Sequence, residues 1–192
     1  VLHYLASISC IDDGVGRLLA ALNETNQLGN TIIVFVSDHG EFAGNHGLLR
    51  KPSIHYDELV RVPLLLRLPD GKGEGRRVPG MVELVDVHPT LLGLLGIDIN
   101  PGVQGLDWSA NIANGSAIAR EDIHSDMHDL GPMLYGQPGG PYIAVQTLRT
   151  DDWKLNVYPT ADSGYGQLFD LRNDPHEEAN LYADRGYRDT RE

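Results

Sequence analysis

The stretch TIIVFVSDHGEFAGNHGLLRKPSIHYDELVRVP, Thr31 to Pro63, decides how the rest of the chain is read. It opens on an unbroken run, Thr31 to Val36, dominated by apolar β-branched residues, the pattern of a strand buried on both faces of a parallel sheet. The run stops at Ser37, and Asp38, His39 and Gly40 follow at once. Ligands of open α/β sheets gather beyond the carboxyl ends of the strands, so an acid and an imidazole there are well placed to hold a metal. The glycine lets the backbone turn sharply after them. Lys51 returns thirteen positions after Asp38, across a loop carrying Gly40, Gly44 and Gly47. The bland alternative is a helix cap and a turn with His39 merely packed. A second His-Gly pair, His46-Gly47, and the run Tyr56 to Pro63 behind the lysine favour a metal-and-anion site on one strand end.

Composition narrows the field. The 192 residues suffice for one ordinary domain or a domain with a small appendage, and a hydrophobic fraction of 41% is compatible with a folded core. A formal net charge of −12 argues against binding nucleic acid or an anionic membrane surface. An anionic ester would need a local cation, which draws attention to Lys51 and to a bound metal. A single cysteine, Cys10, excludes an internal disulfide framework and a Cys-rich zinc site. No apolar run reaches the length of a membrane span.

The order Ser37-Asp38-His39-Gly40-Glu41, then Gly44-Asn45-His46-Gly47, then Lys51, then Arg61-Val62-Pro63 resembles a known family. It is similar to the C-terminal part of a sulfatase of the alkaline phosphatase superfamily, in the branch whose metal motif is Asp-His-Gly. Further along, Val85-Asp86-Val87-His88-Pro89-Thr90-Leu91 is similar to a sulfatase element that carries fold. Leu148-Arg149-Thr150 with Trp153-Lys154-Leu155, then Leu168-Phe169-Asp170-Leu171 to Asn180-Leu181, is similar to the family's terminal antiparallel sheet. The resemblance runs from about Tyr4 to about Tyr182. It implies an α/β fold: part of an alkaline-phosphatase-like sheet with flanking helices (residues 1–119), then a small C-terminal antiparallel sheet with a helix (residues 120–192).

The resemblance also implies roles. Asp38 and His39 are metal ligands, and Lys51 binds the sulfate oxygens and neutralises charge as the ester bond breaks. A lysine ammonium is a compact point charge suited to that task. Lys51 and His46 are the candidate catalytic residues; His46 either supports the site or contacts substrate, or it packs the glycine loop. The cofactor expected is a divalent cation, calcium first. Imidazole in place of a carboxamide admits manganese, which stands second. The nucleophile would be a formylglycine made in a Cys/Ser-x-Pro-x-Arg motif, which this sequence lacks; Cys10, followed by Ile11-Asp12-Asp13, does not fit it. Val1 to Leu5 read as the middle of a structured element, so the chain is expected to be a piece of a longer enzyme. Its partners would then be an upstream part of the same protein and a small-molecule or carbohydrate sulfate ester. The alternatives are a phosphonate monoester or phosphodiester hydrolase of the same superfamily, and a non-catalytic binding module of the same fold.

The remaining segments are read for structure. Leu5, Ile8, Ile11, Val15, Leu18, Leu19 and Leu22 fall at helical spacing, with Asp12 and Asp13 on a solvated face. Val62 to Leu68 reads as a second strand, and Pro69 to Pro79 as an exposed loop. Val82 to Gly96 reads as a short strand and then a helix with Asp86 near its cap, and Asn100 to Gly115 as a loop. His124, Asp126, His128 and Asp129 could hold a metal, but the glycines and prolines that follow them favour an irregular loop over Ile123 to Gln137, overhanging the site. Tyr142 to Arg149 and Trp153 to Tyr158 make a hairpin about Thr150-Asp151-Asp152, with Gln167 to Leu171 as a third strand. Glu178 and Asn180 read as structural, and a buried pairing would explain Arg61.

Overall fold

The structure is a computed structural model that describes residues 2–129, 143–161 and 164–192. A 23-residue helix, α1 (Leu2–Glu24), opens the chain as its periodicity predicts. Asn26 ends it in a left-handed conformation. The Gln27 amide then donates to Leu22 O at 2.8 Å and the Asn26 amide to Asn23 O at 3.0 Å, which satisfies two terminal carbonyls. The helix α3 (Val87–Leu95) stops in the same way, with Gly96 left-handed and Ile97 N donating to Leu92 O at 2.9 Å.

Strand β1 (Ile33–Val36) lies where the apolar run predicts it, but it pairs antiparallel with β2 (Leu64–Arg67), not within a parallel sheet. Phe35 and Val36 are 41% and 40% exposed. Apolar, β-branched composition reports a preference for burial and pleat, not the direction of the partner, which the intervening chain decides. Val36 stands opposite Leu64, so residues 37–63 leave and re-enter the ladder at the same end of the two strands. The whole Asp38–Pro63 segment is thus one excursion from a single strand end. The short helix α2 (Asp57–Val60) lies on its return limb.

Around α3 the expected strand is a 3-10 turn, Leu84–Asp86. The reason is local: Glu83 and Asp86 form a reciprocal capping box, and the Glu83 amide donates to Asp86 Oδ2 at 2.9 Å. Asp86 is fully buried and also accepts from Leu106 N and, on both carboxylate oxygens, from Arg120. Arg120 pairs with Glu83 as well. The side chain at the expected 119/120 division therefore reaches back to the turn before α3. The stretch read as a loop over Asn100 to Gly115 contains a short helix, α4 (Ser109–Asn114).

The second sheet is an antiparallel meander, β3 (Ile123–Asp129), β4 (Ile143–Arg149), β5 (Trp153–Val157) and β6 (Gly166–Asp170). The hairpin and the third strand fall where the alternation predicts them. Residues 123–129 form a strand rather than the expected irregular loop, because each finds a register partner on β4, from Ile123 opposite Arg149 to Asp129 opposite Ile143. The remainder of that predicted loop, residues 130–142, lies outside the described residues. One face of β4–β6 receives residues 53–59, bringing Tyr56 to Phe169, and Phe42 joins from the preceding loop against Tyr56. Asn180 is structural as expected: its side chain accepts from Leu168 N and donates to Gly166 O, extending the edge of β6. The helix expected after this sheet is α5 (Arg188–Arg191). Among the described residues no helix is long and apolar enough to cross a membrane.

Candidate active site

Asp38 and His39 stand immediately beyond β1. The His39 amide donates to Asp38 Oδ1 at 2.9 Å, and Ser37 Oγ donates to His39 O at 2.9 Å, so the turn closes on itself. That amide, with the Lys51 charge as a lesser cause, holds the Asp38 carboxyl below the usual carboxylate range. The Asp38 side chain is 84% exposed and open to a ligand. His39 Nδ1 lies 2.8 Å from Gly40 O. A carbonyl can only accept, so Nδ1 carries the proton and the neutral ring keeps a lone pair on Nε2. Lys51 Nζ sits 2.8 Å from that Nε2 and donates to it. Asp38 Oδ2 is 3.6 Å from the same nitrogen. The structure thus brings Asp38, His39 and Lys51 together.

Gly40 is required for a reason other than a sharp turn. It does not adopt a positive φ; instead a Cβ there would fall 1.9 Å from the carbonyl oxygen of Glu58. The Gly40 amide donates to Leu59 O at 2.7 Å, so the Asp-His turn lies directly on α2. Beyond it the loop is strained. Ala43, Gly44, His46, Gly47 and Arg50 all have positive φ, and three of them are not glycine. Such a backbone persists where its surroundings over-determine it. Phe42 anchors it at 1% exposure, and Asn45 Nδ2 donates to Glu58 Oε1 at 3.0 Å.

His46 joins that anchoring rather than the Lys51 cluster. Its ring stacks on Tyr56 with centroids 4.0 Å apart, and its Nε2 is 3.4 Å from Glu58 Oε2. Of the two readings open for this residue, the geometry matches the one that packs the glycine loop. Glu58 therefore has a definite task, holding Asn45 and His46 from α2. Arg61, by contrast, is an exposed side chain 3.9 Å from Asp57, not a buried pair.

Behind this loop lies a network that the sequence pattern did not mark. Thr147 Oγ1 gives its one proton to Asn156 Oδ1 at 2.8 Å, so His55 Nδ1, 2.7 Å away, must donate to Thr147. Asn156 Nδ2 donates to Gln167 Oε1, and Gln167 Nε2 to the Tyr56 hydroxyl. The chain starts at His55 and ends on its neighbour. Burial, with the Lys154 charge behind it, pushes the His55 pKa down to about 4, so the ring is neutral. Only the mixed polar character of β4–β6 hinted at this network, since each member taken alone reads as an ordinary strand residue.

The donor chemistry fits a divalent cation. A His that ligates a metal characteristically gives its other ring N–H to a carbonyl, as His39 does to Gly40, and the Nε2 lone pair faces a positive charge. Asp38 adds an exposed carboxylate held in its ionised form. Two donors are a partial set: among the described residues no group of three or more His, Cys, Asp or Glu converges. His124 and Asp126 instead lie on the exposed face of β3, with His124 3.6 Å from Asp122.

Comparisons with known proteins identify the family. The family described as Sulfatase matches residues 1–97, and the chain belongs to the sulfatase family. It is 35% identical to an arylsulfatase of Clostridium perfringens over 189 residues, 97% of this chain and 36% of that protein. The chain thus spans about a third of the length of the curated relatives it matches. Among solved structures it is similar to BT4656 in complex with its substrate D-glucosamine-2-N,6-O-disulfate. The TM-score is 0.83 at 28% identity, covering 97% of this chain and 37% of that one. It is also similar to a phosphonate monoester hydrolase of Agrobacterium radiobacter, with TM-score 0.79 and 26% identity over 96% of this chain and 37% of that one. These neighbours carry the alkaline-phosphatase-like α/β fold that the resemblance implied.

Proposed function

We propose that this chain forms part of a sulfatase that hydrolyses organic sulfate monoesters, with sulfated carbohydrates as the substrate class. The observation that carries the reading is the convergence of Asp38 and Lys51 on His39 Nε2, at 3.6 and 2.8 Å, at one strand end. The sulfated glucosamine bound by BT4656 supports the carbohydrate class.

Asp38, through its carboxylate, and His39, through Nε2, would hold a divalent cation, calcium first and manganese second. When bound, that ion supplies Lewis-acid polarisation of an ester oxygen and a template for the nucleophile, which is expected to be a formylglycine contributed by an upstream part of the protein. Lys51 places its ammonium where the sulfate oxygens gather negative charge. Its present acceptor is the His39 lone pair, which the cation would take over, leaving the ammonium to the sulfate oxygens. The Gly40 carbonyl fixes the imidazole tautomer, so His39 presents an acceptor rather than a proton. His46 keeps the loop's shape through Tyr56 and Glu58.

The test is Asp38→Ala in the full-length protein, followed by calorimetric titration with calcium and manganese and by turnover of an aryl sulfate. Loss of cation binding together with at least a hundredfold fall in kcat is expected. Full activity in the mutant would overturn the site assignment. A parallel assay on a phosphonate monoester divides the two ester classes: preference for it would move the reading toward the phosphonate hydrolases, to which the fold is also similar. A wild-type protein that binds no cation and turns over neither ester would be a binding module instead.

A further inference from the structure

One side chain of β5 is placed to control the candidate site without touching it. Lys154 is fully buried, and its Nζ lies 2.9 Å from Asp57 Oδ1 and 2.7 Å from Glu177 Oε1. A buried ammonium between two carboxylates is costly to desolvate, and removing one partner would leave the others as uncompensated buried charges. What it fixes here is α2. The second Glu177 oxygen accepts from the Asp57 amide at 2.8 Å, so the acid holds the first residue of that helix while Lys154 holds its side chain. Arg149 stands 3.5 Å from the other Asp57 oxygen, and Arg61, on α2 itself, 3.9 Å from it. Glu177 is 2% exposed and adopts a left-handed backbone, a local cost that turns its carboxylate inward. The structural acid of the C-terminal turn is therefore Glu177, not Glu178.

From α2 two contacts lead to the site. Leu59 O accepts from the amide of Gly40, next to His39, and the Glu58 carbonyl leaves no room for a Cβ there. Glu58 holds Asn45 and His46 within the strained loop that returns to Lys51. We propose that Lys154 is a positioning residue: through Asp57 and Glu177 it seats α2, and α2 sets the spacing of Asp38 and His39 against Lys51. The sheet β3–β6 would then tune the reacting groups from behind. This inference rests on the sulfatase reading for its kinetic consequence but not for its structural one.

The experiment compares wild type, Lys154→Met and Lys154→Arg in the full-length protein by hydrogen exchange and by kinetics. Peptides covering residues 38–60 should exchange at least tenfold faster in K154M, while a peptide over α3, residues 87–95, is unchanged. In the same variant kcat should fall tenfold or more, with KM within about threefold, and K154R should recover part of both. Exchange that rises only in the β3–β6 peptides, or equally everywhere, would overturn the proposal. So would a K154M enzyme with wild-type kcat and unchanged protection of residues 38–60. If K154M does not fold, Glu177→Gln keeps an acceptor for the Asp57 amide while removing one charge, and is expected to give a weaker change in the same peptides. A wild-type protein inactive on sulfate esters would sink the functional reading and leave the exchange comparison intact.

Discussion

Two neighbouring stretches solve opposite problems. From Asp38 to Lys51 the chain is open to solvent and carries five residues of positive φ, and its reacting groups are held by few contacts. From Ser53 to Leu59 it is packed into a sheet whose interior is unusually polar: Lys154 and Asn156 are fully buried, Gln167 and Thr147 nearly so. A buried polar group left without a partner costs about 1–3 kcal/mol, yet each of these four has one. An apolar core would tolerate small slips of residues 53–59, whereas directional bonds do not. The exposed loop can therefore be strained and still keep its shape, because its two supports, Glu58 and Leu59 O, belong to a segment that cannot slide.

The sharpest way to break that arrangement is at the junction. Gly40→Ala would drive a methyl into the backbone of Glu58, where no flexible side chain can yield. The expected cost is about 3 kcal/mol of stability, the upper end of overpacking penalties, with loss of the Gly40–Leu59 hydrogen bond. Denaturant unfolding and ester turnover should both report it, and turnover should suffer more. A Gly40→Ala protein of wild-type stability would mean that the turn and α2 are not rigidly coupled.

How much of this was legible beforehand differs between the stretches for a physical reason. That Asp38, His39 and Lys51 lie together was readable because two of them follow directly on a strand and the third returns across a short glycine-bearing loop. The helices α1 and α3 and the β4–β5 hairpin were readable because side-chain periodicity reports local geometry. The antiparallel pairing of β1 was not, since pairing direction depends on where residues 37–63 return. The turn at Leu84–Asp86 was hidden because Val and Leu there suit a strand, and only the Glu83–Asp86 capping box reverses the choice. Lys154 reads from the sequence as a motif residue without a task, and the structural role read for Glu178 falls to its neighbour Glu177. Charged residues read from sequence as solvent-facing, and their partners lie far off in the chain, at Asp57.

The buried side should also betray itself by pH. His55 has its pKa pushed down from about 6.5 to about 4, so the fold prefers the neutral ring while the unfolded chain protonates at the ordinary value. Its contribution is full above pH 6.5 and is lost as pH falls toward 4. The loss amounts to about 3 kcal/mol at the bottom of that window. Asp57, held below its ordinary pKa because Lys154 and the two arginines outweigh burial, loses its contribution only further down, below the ordinary carboxylate range. Unfolding free energies at pH 7 and pH 4.5 should therefore differ by about 2–3 kcal/mol more in wild type than in His55→Asn, whose amide can still donate to Thr147. An identical pH slope in both proteins would remove His55 from the network.

The smallest effect tests the exposed side. A left-handed alanine costs about 1–2 kcal/mol, whereas glycine in its place adds about 0.5–1 kcal/mol of unfolded-state entropy. Ala43→Gly should therefore leave stability unchanged or raise it by up to about 1.5 kcal/mol. Gly44→Ala, at φ 114°, should lower it. Turnover separates strain that merely persists from strain that positions. If the left-handed residues only link two anchors, Ala43→Gly keeps wild-type kcat. If they aim Lys51 at His39, the relaxed loop should be slower despite being as stable or more so. That second result would place the site's precision in the loop as well as in the sheet behind it. An unchanged kcat would assign it to α2 and its buried partners alone.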